Sequence, residues 1–111
     1  MTDLFCRLLF LMIAGHALAD GPLQDQAMKT RKASAQLAAR FQGLAQHGLI
    51  HGGIVALVTG FWWLGALEAI AHFAIDYFKG RGRISHLVDQ LIHMLCKIAW
   101  ASIAIGIIAA Q

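Results

Sequence analysis

The chain alternates between long apolar segments and short polar connections. Four apolar segments cover residues 4–20, 44–60, 62–79 and 84–110. At 1.5 Å per residue, such segments approach or exceed the roughly 30 Å thickness of a bilayer core. Gly21 and Pro22 end the first one, since proline cannot continue a helix. The pattern predicts an all-α fold, a four-helix transmembrane bundle that forms a single membrane domain over residues 1–111.

Residues 26–42 have a different composition, rich in alanine, glutamine and basic side chains. Ala33, Leu37, Phe41 and Leu44 form a thin apolar line at helical spacing. We expect a short amphipathic helix here, lying on the cytoplasmic headgroups between helices 1 and 2. A plain solvated linker helix fits the same pattern equally well.

The overall composition supports a membrane domain. The chain is 59% hydrophobic and only 14% charged, which is too apolar for an ordinary small soluble domain. Cys6 and Cys96 lie in separate apolar segments without a CxxC motif, so neither a disulfide framework nor a cysteine metal site is indicated.

Positive charges cluster in two of the connections, and their positions predict the topology. The seven residues are Lys29, Arg31, Lys32 and Arg40 in one connection, and Lys79, Arg81 and Arg83 in the other. In a four-pass chain both connections lie on the same side, which the positive-inside rule makes cytoplasmic. We therefore expect a multi-pass protein of the cytoplasmic membrane with both termini outside. No motif for reading nucleic acid is present, so membrane lipids are the predicted partners.

The first apolar segment has a second interpretation. Arg7, the apolar run and the small residues Ala17 to Ala19 resemble a secretory signal peptide with its cleavage site. We retain the segment as helix 1 because His16 and Asp20 repeat a pattern that recurs downstream. Cleavage of residues 1–19 remains the alternative.

Each predicted helix carries ionisable side chains along one face. They are His16 and Asp20, then His47 and His51, then Glu68, His72 and Asp76, and finally His86, Asp89, His93 and Lys97. A charged side chain deep in a bilayer costs roughly 2.5 to 3.5 kcal/mol, so these faces should meet a partner, a cavity or a metal. With the predicted topology, all six histidines lie within a slab at most about 15 Å deep at the cytoplasmic side.

This convergence predicts a metal site. We expect the ligands to be His16, Asp20, His51, His72, Asp76, Asp89 and His93, with His47, His86, Gln24 and Gln90 supporting them from behind. His47 and His86 also fit ordinary polar residues at helix ends. Nitrogen and oxygen donors without thiolate favour zinc, manganese or iron over copper(I), and the number of donors allows one or two ions. Haem fits less well, since the neighbouring carboxylates suit hard cations.

Two pairs of residues predict contacts between helices. Glu68 and Lys97 lie near mid-span and are expected to form a buried ion pair between the last two helices. Gly48 and Gly52 have the small-xxx-small spacing that permits close helix approach, which makes a homo-oligomer possible through this face.

Three stretches carry a resemblance to a known family. They are His16 to Gln24 (H-x3-D-x2-LQ), His72 to Lys79 (H-x2-ID-x2-K) and Asp89 to His93 (DQ-x2-H). Together they resemble a "domain of unknown function" family of small bacterial and phage-borne membrane proteins. The resemblance covers almost the whole chain and implies a multi-pass helical membrane fold, without an established activity. Gly21-Pro22 replaces the aromatic or aliphatic pair expected there.

The functional hypothesis rests on the metal-ligand pattern. It favours a metal-dependent membrane hydrolase or phosphoesterase acting on a lipid-like substrate, although no catalytic residue is singled out. No GxSxG, P-loop or HExxH motif is present. A transporter or channel component for protons or divalent metal is one alternative, since membrane His and Asp residues also serve such paths. A non-catalytic partner subunit or phage exclusion factor is another.

Overall fold

A computed structural model describes residues 1–111 as five helices without a strand. The helices are α1 (Thr2–Asp20), α2 (Gln26–Lys32), α3 (Leu37–Thr59), α4 (Trp62–Gly80) and α5 (His86–Ala109). The four long helices form an elongated bundle measuring 47 × 23 × 22 Å, and α2 packs against α3. The predicted all-α class is confirmed.

Local sequence explains where the helices begin and end. α1 ends at Asp20, directly before Gly21 and Pro22. Asp25 and Ser85 cap α2 and α5, since their side chains accept hydrogen bonds from the backbone N–H of Met28 (2.8 Å) and Val88 (3.2 Å). α3 ends at Gly60, which has a left-handed φ of 79° that glycine adopts without strain.

The segment between α1 and α3 differs from the prediction. A short helix does lie between the first two long helices, but it does not extend over residues 26–42, because α2 ends at Lys32 and α3 already begins at Leu37. The second long helix therefore starts well before residue 44. Gly43 permits the fold, since a Cβ there would lie 2.7 Å from the backbone nitrogen of Lys32. α2 thus folds back onto the first turns of α3 instead of continuing into them.

Glycines bring α3 and α4 into backbone contact. A Cβ on Gly48 would lie 2.9 Å from the carbonyl oxygen of Ala69, and one on Gly52 would clash with the carbonyl oxygen of Gly65. The small-xxx-small face predicted from the sequence is therefore used within the chain, where both glycines are buried. Self-association stays a prediction, and in this structure it would need another surface.

The interior is divided into an apolar half and a polar half. Near the α3–α4 turn, a small hydrophobic core joins α1, α3, α4 and α5 through Leu8, Met12, Val55, Leu64, Ala101 and Ala104. Toward the opposite end, the interior contains the ionisable side chains of the same four helices. The basic connections lie at this polar end, where Lys32 from one and Lys79 from the other line the same cavity.

Polar side chains are unusually frequent in the interior, and large apolar side chains are frequent on the surface. Ten polar or charged side chains are buried against nine hydrophobic ones, while large apolar side chains such as Leu57, Ile70 and Leu95 are exposed. Two helices, α1 and α5, are long and apolar enough to cross a membrane. In α3 and α4 the apolar sequence is interrupted by polar side chains that point inward, including His51 and Glu68.

Candidate metal centre

Imidazoles from four helices meet inside the polar half of the bundle. The rings of His51 and His72 stack with centroids 3.6 Å apart, and those of His72 and His93 stack at 4.0 Å. His16 lies 4.8 Å from His51, and His47 lies 4.6 Å from it on the other side. Positively charged rings at these distances would repel one another, so the arrangement suits neutral imidazoles, the form that binds metals.

Asp20, at the end of α1, contacts three of these rings. Its Oδ1 lies 2.9 Å from His51 Nε2 and 3.1 Å from His47 Nε2, while its Oδ2 lies 3.1 Å from His16 Nε2. No lysine or arginine pairs with this carboxylate. Its negative charge faces imidazole nitrogens alone, which is the environment of a carboxylate that ligates a cation together with histidines.

Asp76 contacts both the histidines and a lysine from the first basic connection. Its Oδ1 lies 3.3 Å from His93 Nε2, and its Oδ2 lies 3.6 Å from Nε2 of both His47 and His72. The same Oδ2 also forms an ion pair with Lys32 Nζ, at 2.9 Å. A lysine from α2 therefore neutralises a carboxylate of α4.

Asp89 has a similar position on α5. Its Oδ1 lies 3.2 Å from His93 Nε2, one helical turn away. Its Oδ2 accepts hydrogen bonds from Lys79 Nζ at 3.2 Å and from Gln90 Nε2 at 3.0 Å. The carboxylate is 1% exposed, so the lysine supplies most of the charge compensation that a buried anion requires.

Glu68 lies deepest, at the border with the apolar core. Lys97 Nζ donates to its Oε1, and Trp100 Nε1 donates to its Oε2 at 2.5 Å. The structure thus places the predicted ion pair in direct contact. Glu68 Oε1 also lies 3.3 Å from His72 Nδ1. If His72 donates this hydrogen from Nδ1, its Nε2 is left as a lone-pair donor aimed at the cluster.

Three groups of donor atoms lie close enough together to hold a metal ion. They are Asp20, His47, His51 and His72; Glu68, His72 and His93; and Asp76, Asp89 and His93. Within each group the donor atoms lie within 4.8 Å of one another. The donors are imidazole nitrogen and carboxylate oxygen, which suit zinc, iron and manganese. The buried Nδ1 atoms of His16, His47, His51 and His93 have no protein partner, so these rings are not fully satisfied by hydrogen bonds within the chain.

The charge distribution distinguishes the three groups. Lys32, Lys79 and Lys97 each pair with one carboxylate, namely Asp76, Asp89 and Glu68. Asp20, whose side chain is 31% exposed, has no such lysine partner. The first group, with Asp20, His47, His51 and His72, therefore contains the one carboxylate of the three groups that has no lysine partner.

One family model matches most of the chain. The model of a family described as a protein of unknown function, DUF3307, matches residues 8–110. The chain belongs to the DUF3307 family. No curated protein and no solved structure matches it. The region matched in this DUF3307 protein includes every residue of the three donor groups.

The structure of the DUF3307 chain brings the seven predicted ligands into one cluster. Six of them belong to the donor groups, while His16 lies beside Asp20 and Gln90 without joining a group. Among the four residues predicted to support them, His47 contributes a donor atom itself, which its spacing of one turn before His51 could have indicated. His86 is exposed and contacts Lys79.

The remaining supporting residues have clear contacts. Gln90 Oε1 lies 3.2 Å from His16 Nε2. Gln24 accepts a hydrogen bond from Lys32 Nζ at 2.8 Å and donates to the Asp20 carbonyl oxygen at 3.2 Å. Sequence reasoning did not assign Lys32 and Lys79 to the site. Lys79 follows Asp76 by three residues in the H-x2-ID-x2-K stretch, which was a usable signal, whereas nothing in the local pattern connects Lys32 with Asp76.

Proposed function

We propose that this DUF3307 protein is a membrane-embedded, metal-dependent hydrolase that acts on a lipid-like substrate from the cytoplasmic side. The observation that carries the proposal is the buried donor cluster, in which imidazoles and carboxylates from α1, α3, α4 and α5 converge. Burying this many ionisable groups costs stability, and a purely structural role is served more cheaply by apolar packing. A bound ion offsets that cost and gives the cluster a chemical use.

The burial pattern supports integration into the membrane. In a soluble protein, a helix as apolar as α1 or α5 would be mostly covered by protein, yet only 22% of the most apolar stretch of each is buried. Exposed apolar surface around a polar interior is stable when lipid is the solvent. We therefore interpret α1, α3, α4 and α5 as four transmembrane helices, with α2 lying at the cytoplasmic surface.

The positions of the basic residues support the orientation. Lys29, Lys32, Arg40 and Lys79 gather around one cavity at the polar end of the bundle. Under the positive-inside rule this end is cytoplasmic, and the four-pass topology then puts both termini outside. Trp62, at the opposite end, is 78% exposed, as expected of an aromatic residue at the outer interface.

We assign the first ion to Asp20, His47, His51 and His72, because this group contains the carboxylate without a lysine. A second ion can use Asp76, Asp89 and His93, and its binding would displace Lys32 and Lys79 from the two carboxylates. Zinc, manganese and iron all suit these donors.

The residues around the candidate metal site suit a hydrolytic reaction. A divalent ion held by Asp20, His47, His51 and His72 would supply Lewis-acid chemistry, namely activation of water and polarisation of the bond that is cleaved. With one ion in the first group and none in the second, Asp76 and Asp89 remain free of metal and can accept the proton that water loses on attack. Lys32 and Lys79 can stabilise negative charge that develops on an ester oxygen as the bond to the leaving alcohol breaks.

The polar cavity that reaches the cluster lies at the end of the bundle that we assign to the cytoplasmic side. A polar cavity of about 160 Å³, without a hydrophobic lining residue, reaches Asp20, His47, Asp76 and Asp89. On the other side, the packed core around Met12, Val55 and Leu64 closes the bundle. This asymmetry favours a one-sided enzyme over the alternative of a transporter, which needs a polar path through both halves of the membrane.

Metal analysis tests the proposal. Protein purified in mild detergent should contain about one to two transition-metal ions per chain by mass spectrometry, and His72→Ala should lose most of this metal because His72 belongs to two donor groups. His86→Ala is the matched control, since that histidine is exposed and outside every group. Metal-dependent release of phosphate from lipid phosphate esters should follow metal content.

Two results would refute the enzyme. One is wild-type protein that stays metal-free after incubation with zinc, manganese and iron. The other is equal metal loss in the His72 and His86 variants, since the buried donor cluster would then not be the binding site. A metal-free wild-type protein would instead favour the non-catalytic partner subunit.

A further inference from the structure

A cavity at the polar end of the bundle is strongly basic. It has a volume of about 370 Å³ and opens at the polar end of the bundle, between α2, α3 and α4. Lys29, Lys32, Arg40 and Lys79 line it, and Asp76 is the one acidic residue among its lining side chains. Four positive charges therefore face one carboxylate in a confined space.

Two of these cations have no acidic partner. Lys32 pairs with Asp76 and Lys79 pairs with Asp89, at 2.9 and 3.2 Å. Arg40 donates from Nε to the Ser34 carbonyl oxygen at 2.9 Å, which orients its guanidinium without neutralising it, and Lys29 forms no ion pair. The cavity thus has about two uncompensated positive charges, and cations focused in a cleft attract an anion.

We propose that this cavity binds the phosphate or diphosphate group of the substrate, an inference that rests on the proposed hydrolase function. A terminal phosphate or diphosphate carries about two or more negative charges, which match the uncompensated charge. Arginine binds phosphate oxygens through paired N–H groups, and lysine supplies a point charge beside them. A carboxylate ligand, with one negative charge, would leave the cavity positively charged.

The cavity adjoins the candidate metal centre. Gln24, Lys32, Asp76 and Lys79 line both this cavity and the smaller polar one that reaches Asp20 and the histidines. A phosphate held by Lys29 and Arg40 would therefore lie next to the donor cluster, with Lys32 and Lys79 between them. Both lysines can exchange their contact with an aspartate for one with a phosphate oxygen.

One wall of the cavity continues into an apolar surface. Tyr77 lines the cavity, and its ring lies 6.0 Å from that of Phe41, which in turn packs edge-on against Phe73 at 5.5 Å. Leu37 and Phe41 are exposed on the same helix as Arg40. An acyl or prenyl chain attached to the bound phosphate could extend along these side chains into the bilayer.

The test is binding of pyrophosphate and inorganic phosphate to the purified full-length protein, by titration calorimetry at fixed ionic strength. The wild type should bind pyrophosphate saturably. The double variant Lys29→Gln with Arg40→Gln should weaken binding about tenfold or more, since it removes two charged hydrogen-bond donors that do not touch the donor cluster. The matched control, Arg7→Gln with Arg83→Gln, removes the same charge outside the cavity and should change binding less than about twofold.

The outcomes are distinct. Absence of saturable binding, or equal weakening in both double variants, would overturn the cavity site, because diffuse surface charge would then explain any attraction.

A short-chain phosphatidate provides a second experiment, which distinguishes a lipid phosphate from a soluble one. Phosphatidate binding that exceeds phosphate binding about tenfold and depends on Lys29 and Arg40 assigns the site to a lipid phosphate. Equal affinities that still depend on these residues assign it to a soluble phosphate compound.

Metal content, measured on the same samples, separates this inference from the proposed function. Both double variants should keep the wild-type amount of metal, since none of the four residues belongs to a donor group. Metal present without binding that depends on Lys29 and Arg40 would overturn the phosphate site alone. Binding that depends on these residues in a metal-free wild type would overturn the hydrolase and leave the phosphate site standing.

Discussion

Glu68 and Lys97 form a buried ion pair in which the two partners depend on each other unequally. Both side chains are 1% exposed. Lys97 Nζ has Glu68 as its one hydrogen-bond partner, whereas Glu68 also accepts from Trp100 and lies 3.3 Å from His72 Nδ1. Removing the carboxylate charge therefore leaves an ammonium group without a counter-charge. Removing the ammonium group leaves a carboxylate that keeps two donors.

This asymmetry predicts the order of the mutational effects. Glu68→Gln should lower the free energy of unfolding by about 3 to 5 kcal/mol, the usual cost of stranding a buried charge. Lys97→Met should cost about 1 to 3 kcal/mol, because Trp100 and His72 still solvate the carboxylate. The double variant should be within about 1 kcal/mol of the wild type, since no charge is left and methionine replaces much of the lysine stem.

The assay is reversible unfolding in detergent micelles, analysed as a double-mutant cycle. Lys29→Met serves as a control, since this lysine has no ion pair, and it should change stability by less than about 0.5 kcal/mol. A double variant as unstable as the sum of the two single variants would refute the reasoning. So would a Lys97→Met variant that is less stable than Glu68→Gln.

The same double variant separates a one-sided enzyme from a transporter. Glu68 and Lys97 are the ionisable side chains nearest to the packed apolar core, so a proton or metal path across the bundle would have to use them. We expect no flux of protons or divalent metal in proteoliposomes of either protein. Flux in the wild type that is lost in the stable double variant would favour transport.

Two further predictions concern topology and processing. Cysteine labelling in intact cells should place Lys32 and Arg81 in the cytoplasm and Trp62 and Gln111 outside. The reason is that the two basic connections border the same cavity at the polar end. Labelling of the two connections from opposite sides of the membrane would contradict a single cytoplasmic site. Intact-mass measurement of the purified protein should show that residues 1–19 are retained, since α1 packs into both the apolar core and the histidine cluster; a mass lacking these residues would show that helix 1 is a cleaved signal peptide.

The sequence alone predicted which side chains share a helix face. The spacing of Glu68, His72 and Asp76, like that of Asp89, His93 and Lys97, depends only on the 3.6-residue period of the helix. The burial of these side chains was expected from the cost that exposing them to lipid would have. Both arguments need only one helix at a time, which is why the inward-facing residues of all four long helices could be named in advance.

The second long helix shows the limit of such local reasoning. Its start was placed at residue 44, where the apolar run begins, but α3 begins at Leu37. Residues 37–43 carry only a thin apolar line of their own, and α2 packs against them across Gly43. A boundary that depends on a contact with another helix cannot be found from periodicity.

The tertiary structure alone decided which charges meet. Lys32 reaches Asp76 across 44 positions of sequence, and His47 takes a place among the donors instead of behind them. Gly48 and Gly52, which could have served an interface between chains, bring α3 against α4 within one chain. Helical period determines the face of each side chain, but the partners across that face depend on how far the helices approach, rotate and shift along one another, and these are properties of the packed bundle.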